Sequence, residues 1–289
     1  MIRRIPLLGL LLALLACNKE DQKSVVPAYL HIEAMRVDAD FNSQGTEHHK
    51  LTTGWVFVND DVLGAFEFPV DIPIAASGPT KIRVEPGMNL NGIKALRTLY
   101  PFHSPYEETI DLVPEQLHYL NSNNDSLAVS TYEGTLSLNV IEDFESPGLS
   151  LEPTDKSDTT LVKVNASQGA FVFKNEPTTS GKAVIQGQGF FEVVTTDKFD
   201  FTPVPDYYVE LTYKSELPFT VGVFMTTQSQ TIQAPVVQVS PSEEWNKIYI
   251  NLVTEVGQTQ PDNYKLFIGA VNTTNSAKEL YIDNLKLLY

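Results

Sequence analysis

The chain of 289 residues has one cysteine, Cys17, and two tryptophans. A single thiol closes no disulfide within the chain and builds no zinc site of the multi-cysteine kind. Basic residues are also scarce, with 20 Lys and Arg against 36 Asp and Glu, a formal net charge of -16. So acidic a surface repels phosphate backbones, which argues against nucleic-acid binding. No apolar run reaches the roughly 20 residues that a membrane-spanning helix requires; the longest, Ile5 to Ala16, has 12. Catalytic motifs are absent too: no Gly-x-Ser-x-Gly elbow, no His-Glu-x-x-His pair, no phosphate loop ending in Gly-Lys-Ser/Thr. Gly187-Gln188-Gly189 precedes no helical pattern and reads as a turn.

What is present starts at the amino end. Arg3 and Arg4 precede the short apolar run, which closes on Leu14-Leu15-Ala16-Cys17. This has the dimensions of a signal-peptide core, and its last four residues resemble the lipobox of bacterial lipoproteins. The resemblance implies a signal peptide over 1–16, a covalent lipid on Cys17 and a lipidated tether over 17–26. Two or three acyl chains anchor stably because each buried methylene contributes about 0.8 kcal/mol. Lys19-Glu20-Asp21 resembles the signal that sends Bacteroidetes lipoproteins to the outer membrane and its surface. That implies a membrane partner reached through the lipid and an outer-membrane location.

Beyond Pro27 the pattern is that of strands. Tyr29 to Val37 alternates and reads as one half-buried strand, followed by a polar loop over 38–50 that carries His48-His49. Trp55-Val56-Phe57-Val58 and Val62 to Phe68 read as a hairpin turning at Asn59 to Asp61. Asn91-Gly92 reads as a tight turn, Glu107 to Val113 as a strand, and Val113 to Tyr119 as one helical turn at most. The segment 27–133 resembles the small PEGA-type and immunoglobulin-like β-sandwich modules of surface proteins, carried by Trp55 to Asp60, Leu63-Gly64, Gly78 and Lys81 to Val84. Asp61-Val62 stands where that family favours glycine. The polar cluster Asn121 to Ser126 marks a junction, with a boundary anywhere from 122 to 138.

Nine or ten strand patterns over 138–289 suit a two-sheet sandwich. This half resembles the jelly-roll domains of carbohydrate-binding modules. The residues that carry the likeness are Asp143-Phe144-Glu145, Glu244 to Ile250, and Leu280 to Leu287. The resemblance implies a structural calcium shared by Glu145 and Asp283, with Glu142 or Asp143 as a helper; hard carboxylates suit that ion. Sugar binding asks for aromatic faces beside amides or acids, and Trp55, Trp245, Tyr207, Tyr208, Tyr213 and Tyr264 are the candidates, although Trp245 reads as core or sandwich edge, Trp55 opens an apolar strand, and alternation sends half of the tyrosines into the core. The acid pairs Asp60-Asp61, Glu107-Glu108 and Glu243-Glu244 read as solvated turns.

The expectation is an all-β chain of two tandem β-sandwich domains, the second jelly-roll-like, behind a lipoprotein signal peptide and a short tether. The leading function is non-enzymatic binding or accessory structure at the cell surface, with a glycan or a partner outer-membrane protein as ligand. A cell-surface glycan hydrolase or lyase, and an architectural subunit of an outer-membrane complex, stay open.

Overall fold

Buried parity changes at Glu33, and the strand is interrupted there. In the computed structural model, which describes residues 26–289 apart from 121–125, 175, 201–205 and 255–260, Leu30 and Ile32 are buried before the break and Met35 and Val37 after it. A strand keeps one parity on its buried face. The single expected strand is therefore two, Ala28–Ile32 and Ala34–Asp38. The first pairs antiparallel with Val70–Ile74 and parallel with Leu117–Tyr119. The second pairs parallel with Leu127–Thr131. The stretch expected to hold a helical turn thus ends in a strand. The signal peptide, Cys17 and residues up to 25 lie outside the described residues. Among those described, no helix is long and apolar enough to cross a membrane.

The expected hairpin joins Thr53–Val58 to Asp61–Glu67. Asn59 and Asp60 both take positive φ, 51° and 69°, as the connection matched to strand twist requires. No glycine is needed at Asp61, because the left-handed positions fall before it. The 12-residue strand Gly78–Asn89 pairs with Thr53–Val58 and with Tyr106–Leu112. Leu30, Ile32, Val56, Ile72, Ile82 and Val84 are the centre of one core.

The second half is a sandwich of two sheets. One has the order Val162–Val164, Ser180–Ile185, Lys278–Leu288, Tyr208–Ser215, Ser242–Asn251, with Leu138–Glu142 also paired to Lys278–Leu288. The other has the order Leu151–Pro153, Phe190–Thr195, Asn263–Val271, Phe219–Thr226, Thr231–Val239. Val209, Leu211, Ile250 and Ile282 from the first meet Phe191, Val193, Val221, Val223, Leu266 and Ile268 from the second. The chain is all-β, with the sandwich expected for its second half.

The outer faces of these two sheets differ. Tyr208, Tyr249 and Leu288, on the outside of the first, belong to the core of the amino-terminal half. That sheet is called the seam sheet below, and the other the groove sheet.

Candidate functional site

Alternation decides which side chains leave the core of the groove sheet. Phe191 and Val193 point into the sandwich, and Phe190 and Glu192 point out. Leu266 and Ile268 point in; Lys265, Phe267 and Gly269 point out. Across the strands Glu192 registers with Gly269, and Gly269 with Thr220; Phe267 registers with Gly222. Gly269, in the middle of the outer face, lines a groove with a volume of about 530 Å³. A Cβ on Gly222 would fall 2.6 Å from Phe267 Cε1. The Phe267 ring therefore lies on bare backbone that a larger residue would deny it. Phe224 packs beside Phe267, with ring centroids 5.1 Å apart.

The polar groups of the groove are held in place. Glu192 is 2% exposed. Thr154 Oγ1 donates to its Oε1 at 2.9 Å, and Gln233 Nε2 donates to its Oε2 at 2.5 Å. The amide of Gln233 is thereby drawn in from the edge strand over the groove floor. Thr220 and Lys156 also line the groove, and half-buried Phe190 forms one wall. A second carboxylate on the lining, Glu216, accepts from the Glu279 N–H at 2.8 Å. An apolar wall with an amide, a hydroxyl and a carboxylate over a concave floor matches the demands of a sugar chain. Its ring faces are apolar and its edges carry hydroxyls.

The seam sheet turns its polar face inward, onto the other half. Glu210, 1% exposed, accepts from Tyr100 OH at 2.5 Å and from Tyr132 OH at 3.0 Å. Lys247 Nζ lies 2.8 Å and Lys286 Nζ 3.9 Å from Glu210 Oε2. Lys286 also donates to Tyr132 OH at 3.1 Å. Burial by itself would raise the Glu210 pKa, yet the two ammonium groups hold it below the usual carboxylate range. Burial, reinforced by the neighbouring Lys247, lowers Lys286 to about 7. Burial lowers His103 to about 4 as well, with its ring 4.4 Å from that of Tyr132.

His48 and His49 also belong to this seam, and this corrects the expectation of a solvated loop. His48 packs on Phe171, 4.7 Å between centroids, and its Nδ1 meets Thr212 Oγ1 at 3.2 Å. His49 Nδ1 accepts from the Leu51 N–H at 3.3 Å. Burial and the Lys247 charge lower them to about 3 and about 4. The loop is covered because Thr46 N donates to Asn284 Oδ1 on the seam sheet, which ties it down.

Glu145 and Asp283 stand where the first and last strands of the sandwich meet. Asp283, fully buried, accepts from Ser180 Oγ at 2.8 Å. Glu145 accepts from Thr179 N–H at 2.7 Å. Adjacent residues thus bring the two carboxylates to one corner. Lys163 Nζ donates to the carbonyls of Phe144 and Ser146 at that corner. Two carboxylates and two carbonyls are the donor set of a hard cation, and an ammonium already sits on part of it. Among the described residues, no group of three or more His, Cys, Asp or Glu gathers as a metal site.

The tyrosine candidates all go to the core, beyond the half that alternation predicts. Tyr207, Tyr208, Tyr213 and Tyr264 are all buried, and Trp245 packs between Phe171 and Tyr281. Trp55 is half-buried in its strand. The acid pairs are surface groups: Asp60 pairs with Lys81 at 3.2 Å, and Glu107 with the same lysine at 3.2 Å. The groove residues Phe190, Glu192, Gln233 and Phe267 escaped the sequence reading. Their only signal was parity, an aromatic at the outward position of three neighbouring strands.

No family model matches the chain, and no curated protein resembles it. Among solved structures, a carbohydrate-binding module of the β-sandwich superfamily, described as promiscuous in specificity, is 15% identical. It aligns over 81% of this chain and 83% of its own, with a TM-score of 0.36. The family 11 carbohydrate-binding module of Clostridium thermocellum, in complex with a β-1,3-1,4-mixed-linked tetrasaccharide, is 13% identical over 52% of this chain and 94% of its own, TM-score 0.36. A family 29 module is 12% identical over 52% and 90%, TM-score 0.31. Likenesses this distant carry no argument about function, which rests on the groove itself.

Proposed function

We propose that the chain is a non-enzymatic glycan-binding protein, anchored to the outer membrane through lipid on Cys17. The observation that carries the binding reading is the glycine-floored groove of about 530 Å³ with Phe190 on its wall and the Gln233–Glu192 pair across it. Phe190 takes a sugar ring face; Gln233, Thr220 and Lys156 take hydroxyls. Glu192 orients Gln233 and accepts from a hydroxyl at the groove floor. The covered seam sheet leaves the groove sheet as the face of the sandwich that meets ligand. In the same reading a calcium ion, held by Asp283, Glu145 and the Phe144 carbonyl, ties the first strand of the sandwich to the last.

The test is affinity electrophoresis and a glycan array with the chain from residue 18 onward, which keeps every described residue. Retention by at least one polysaccharide, lost in Phe190→Ala and in Gln233→Ala, is expected. Retention that neither variant changes places the ligand elsewhere, and turnover of the retained polysaccharide favours the hydrolase or lyase reading. The anchor has its own test. Cys17→Ser should move the protein from the membrane fraction to the soluble one.

A further inference from the structure

A second pocket, of about 270 Å³, opens where the two halves meet. Lys50 and the Leu90–Gly92 turn contribute from the amino-terminal half, and the edge strand Ser242–Asn251 and the Val239–Pro241 corner from the other. Its walls are fixed across the seam. Asn251 N donates to Asn91 Oδ1 at 2.9 Å, and Lys50 N donates to Tyr249 OH at 3.0 Å.

The composition of the lining inverts that of the chain. Two lysines, Lys50 and Lys247, and four amides, Asn89, Asn91, Gln238 and Asn246, line the pocket without a single carboxylate, although acids outnumber bases 36 to 20 overall. Lys247 is fully buried with its ammonium on Glu210, which leaves Lys50 as the cation able to face a ligand. Lys247 shares its one carboxylate, Glu210, with Lys286. Lys50 Nζ donates to an amide oxygen, Asn246 Oδ1, at 2.7 Å, and makes no ion pair among the described residues. Burial lowers its pKa, and the nearby Lys94 lowers it further. An anion seated here would give Lys50 a counter-charge. Clefts that hold drug-sized ligands measure about 300–1,000 Å³, so a pocket of about 270 Å³ suits one sugar ring and not a chain.

We propose that the seam pocket binds the carboxylate of an acidic monosaccharide unit, with Lys50 as counter-ion and the amides of Asn89 and Gln238 as partners for ring hydroxyls. Asn246 and Asn91 already hold the walls, which leaves those two amides for the ligand. The site is separate from the groove, although Gln238 borders both cavities. It does not depend on the groove binding glycan.

The experiment is titration of the chain from residue 18 onward with glucuronate and galacturonate, followed by backbone amide NMR shifts. At least one of the two uronates should move Asn89–Ile93 and Asn246–Tyr249 saturably. Lys50→Gln should weaken binding at least about tenfold, the scale of one charged hydrogen bond, and Asn89→Ala should weaken it less. Glucose, the same ring without the carboxylate, should bind at least about tenfold more weakly. Phe190→Ala should leave uronate binding unchanged; its loss in that variant would move the ligand to the groove and overturn the proposal. Equal binding of glucose, equal shifts with sodium acetate or sulfate, indifference to Lys50→Gln, or no shifts with either uronate would each overturn it too.

Discussion

The two sheets of the carboxy-terminal sandwich obey the same alternation and meet opposite fates. On the groove sheet the outward residues at the centre, Gly222, Gly269, Phe267 and Glu192, are buried by their own neighbours, and the groove above them stays open. On the seam sheet the central outward residues are ionisable, Glu210, Lys247 and Lys286, and they are buried by the other half of the chain. The difference teaches that polarity at an outward position does not predict exposure once another part of the chain packs there. The seam holds its charges through mutual pairing and two tyrosine hydroxyls. The groove holds one carboxylate through two neutral donors. A closed network of that kind specifies how two surfaces register, and a partly open one leaves capacity for a ligand.

The sharpest way to break the comparison is to empty the seam of its anion. Glu210→Ala leaves Lys247 and Lys286 facing each other without a counter-charge, and a loss of about 3–5 kcal/mol is expected, the cost of orphaning a buried charge. Denaturant unfolding measures it. Lys286→Met removes the surplus cation instead, while Lys247 and both tyrosines stay on Glu210, so stability should remain within about 1 kcal/mol of the parent. If the two substitutions cost the same, the charge accounting of the seam is wrong.

Acid should open the seam before it touches the groove. His48, His49 and His103 have folded values of about 3, 4 and 4 against an ordinary 6.5. The unfolded chain therefore takes up protons first as pH falls. Their contribution is complete above about pH 6.5 and declines as pH drops toward 4. Lys286 acts at the other end, since its folded value of about 7 lies below 10.5. The cost of holding it charged is full below pH 7 and lifts between 7 and 10.5. Thermal melts should thus rise in Tm from pH 4 upward through neutrality. His103→Phe keeps the ring contacts with Tyr100 and Tyr132, and should remove roughly 3 kcal/mol of the acid-side slope. An unchanged slope would show that His103 is not buried as described.

On the groove sheet, substitutions should move ligand and spare the fold. Phe190→Ala is expected to weaken glycan binding about tenfold, the scale of one stacked ring. The melting curve should shift little, because the side chain is half-exposed. Glu192→Gln should also weaken binding, through the orientation of Gln233, and a variant that binds as tightly as the parent would remove Glu192 from the site.

Sequence carried the sheets and the open side of the sandwich less evenly than their strands. Hairpin and turn chemistry is local, so Asn59-Asp60 and Asn91-Gly92 were legible as turns. The break at Glu33 was legible in principle too, since Ile32 and Met35 differ in parity, but apolar residues on both sides hid it. The seam was not legible. Glu210 and Lys286 look like solvent-facing residues of alternating strands, and only the packing of residues 45–50 and Tyr100 over them reverses that. The groove stayed hidden for a related reason: glycines leave no pattern, and four strands distant in sequence must meet before it exists.

The smallest expected effect tests the corner that joins the ends of the sandwich. Calcium bound to Asp283 and Glu145 would stabilise the folded chain by mass action, about 1.4 kcal/mol when the free ion is at 10 times its dissociation constant, and Tm would rise by a few degrees. Lys163 already places an ammonium on the Phe144 and Ser146 carbonyls, so the ion gains only what exceeds that contact, and a rise smaller than this is expected. The Lys163→Met variant separates the two cations. If calcium binds, this variant should lose stability in chelator and regain it with millimolar calcium, whereas loss that calcium fails to restore would show that the lysine alone serves the corner. Because the corner lies away from the groove, glycan retention at fixed temperature should not follow calcium. A parallel loss of retention would mean that the open face depends on strand ends it does not touch.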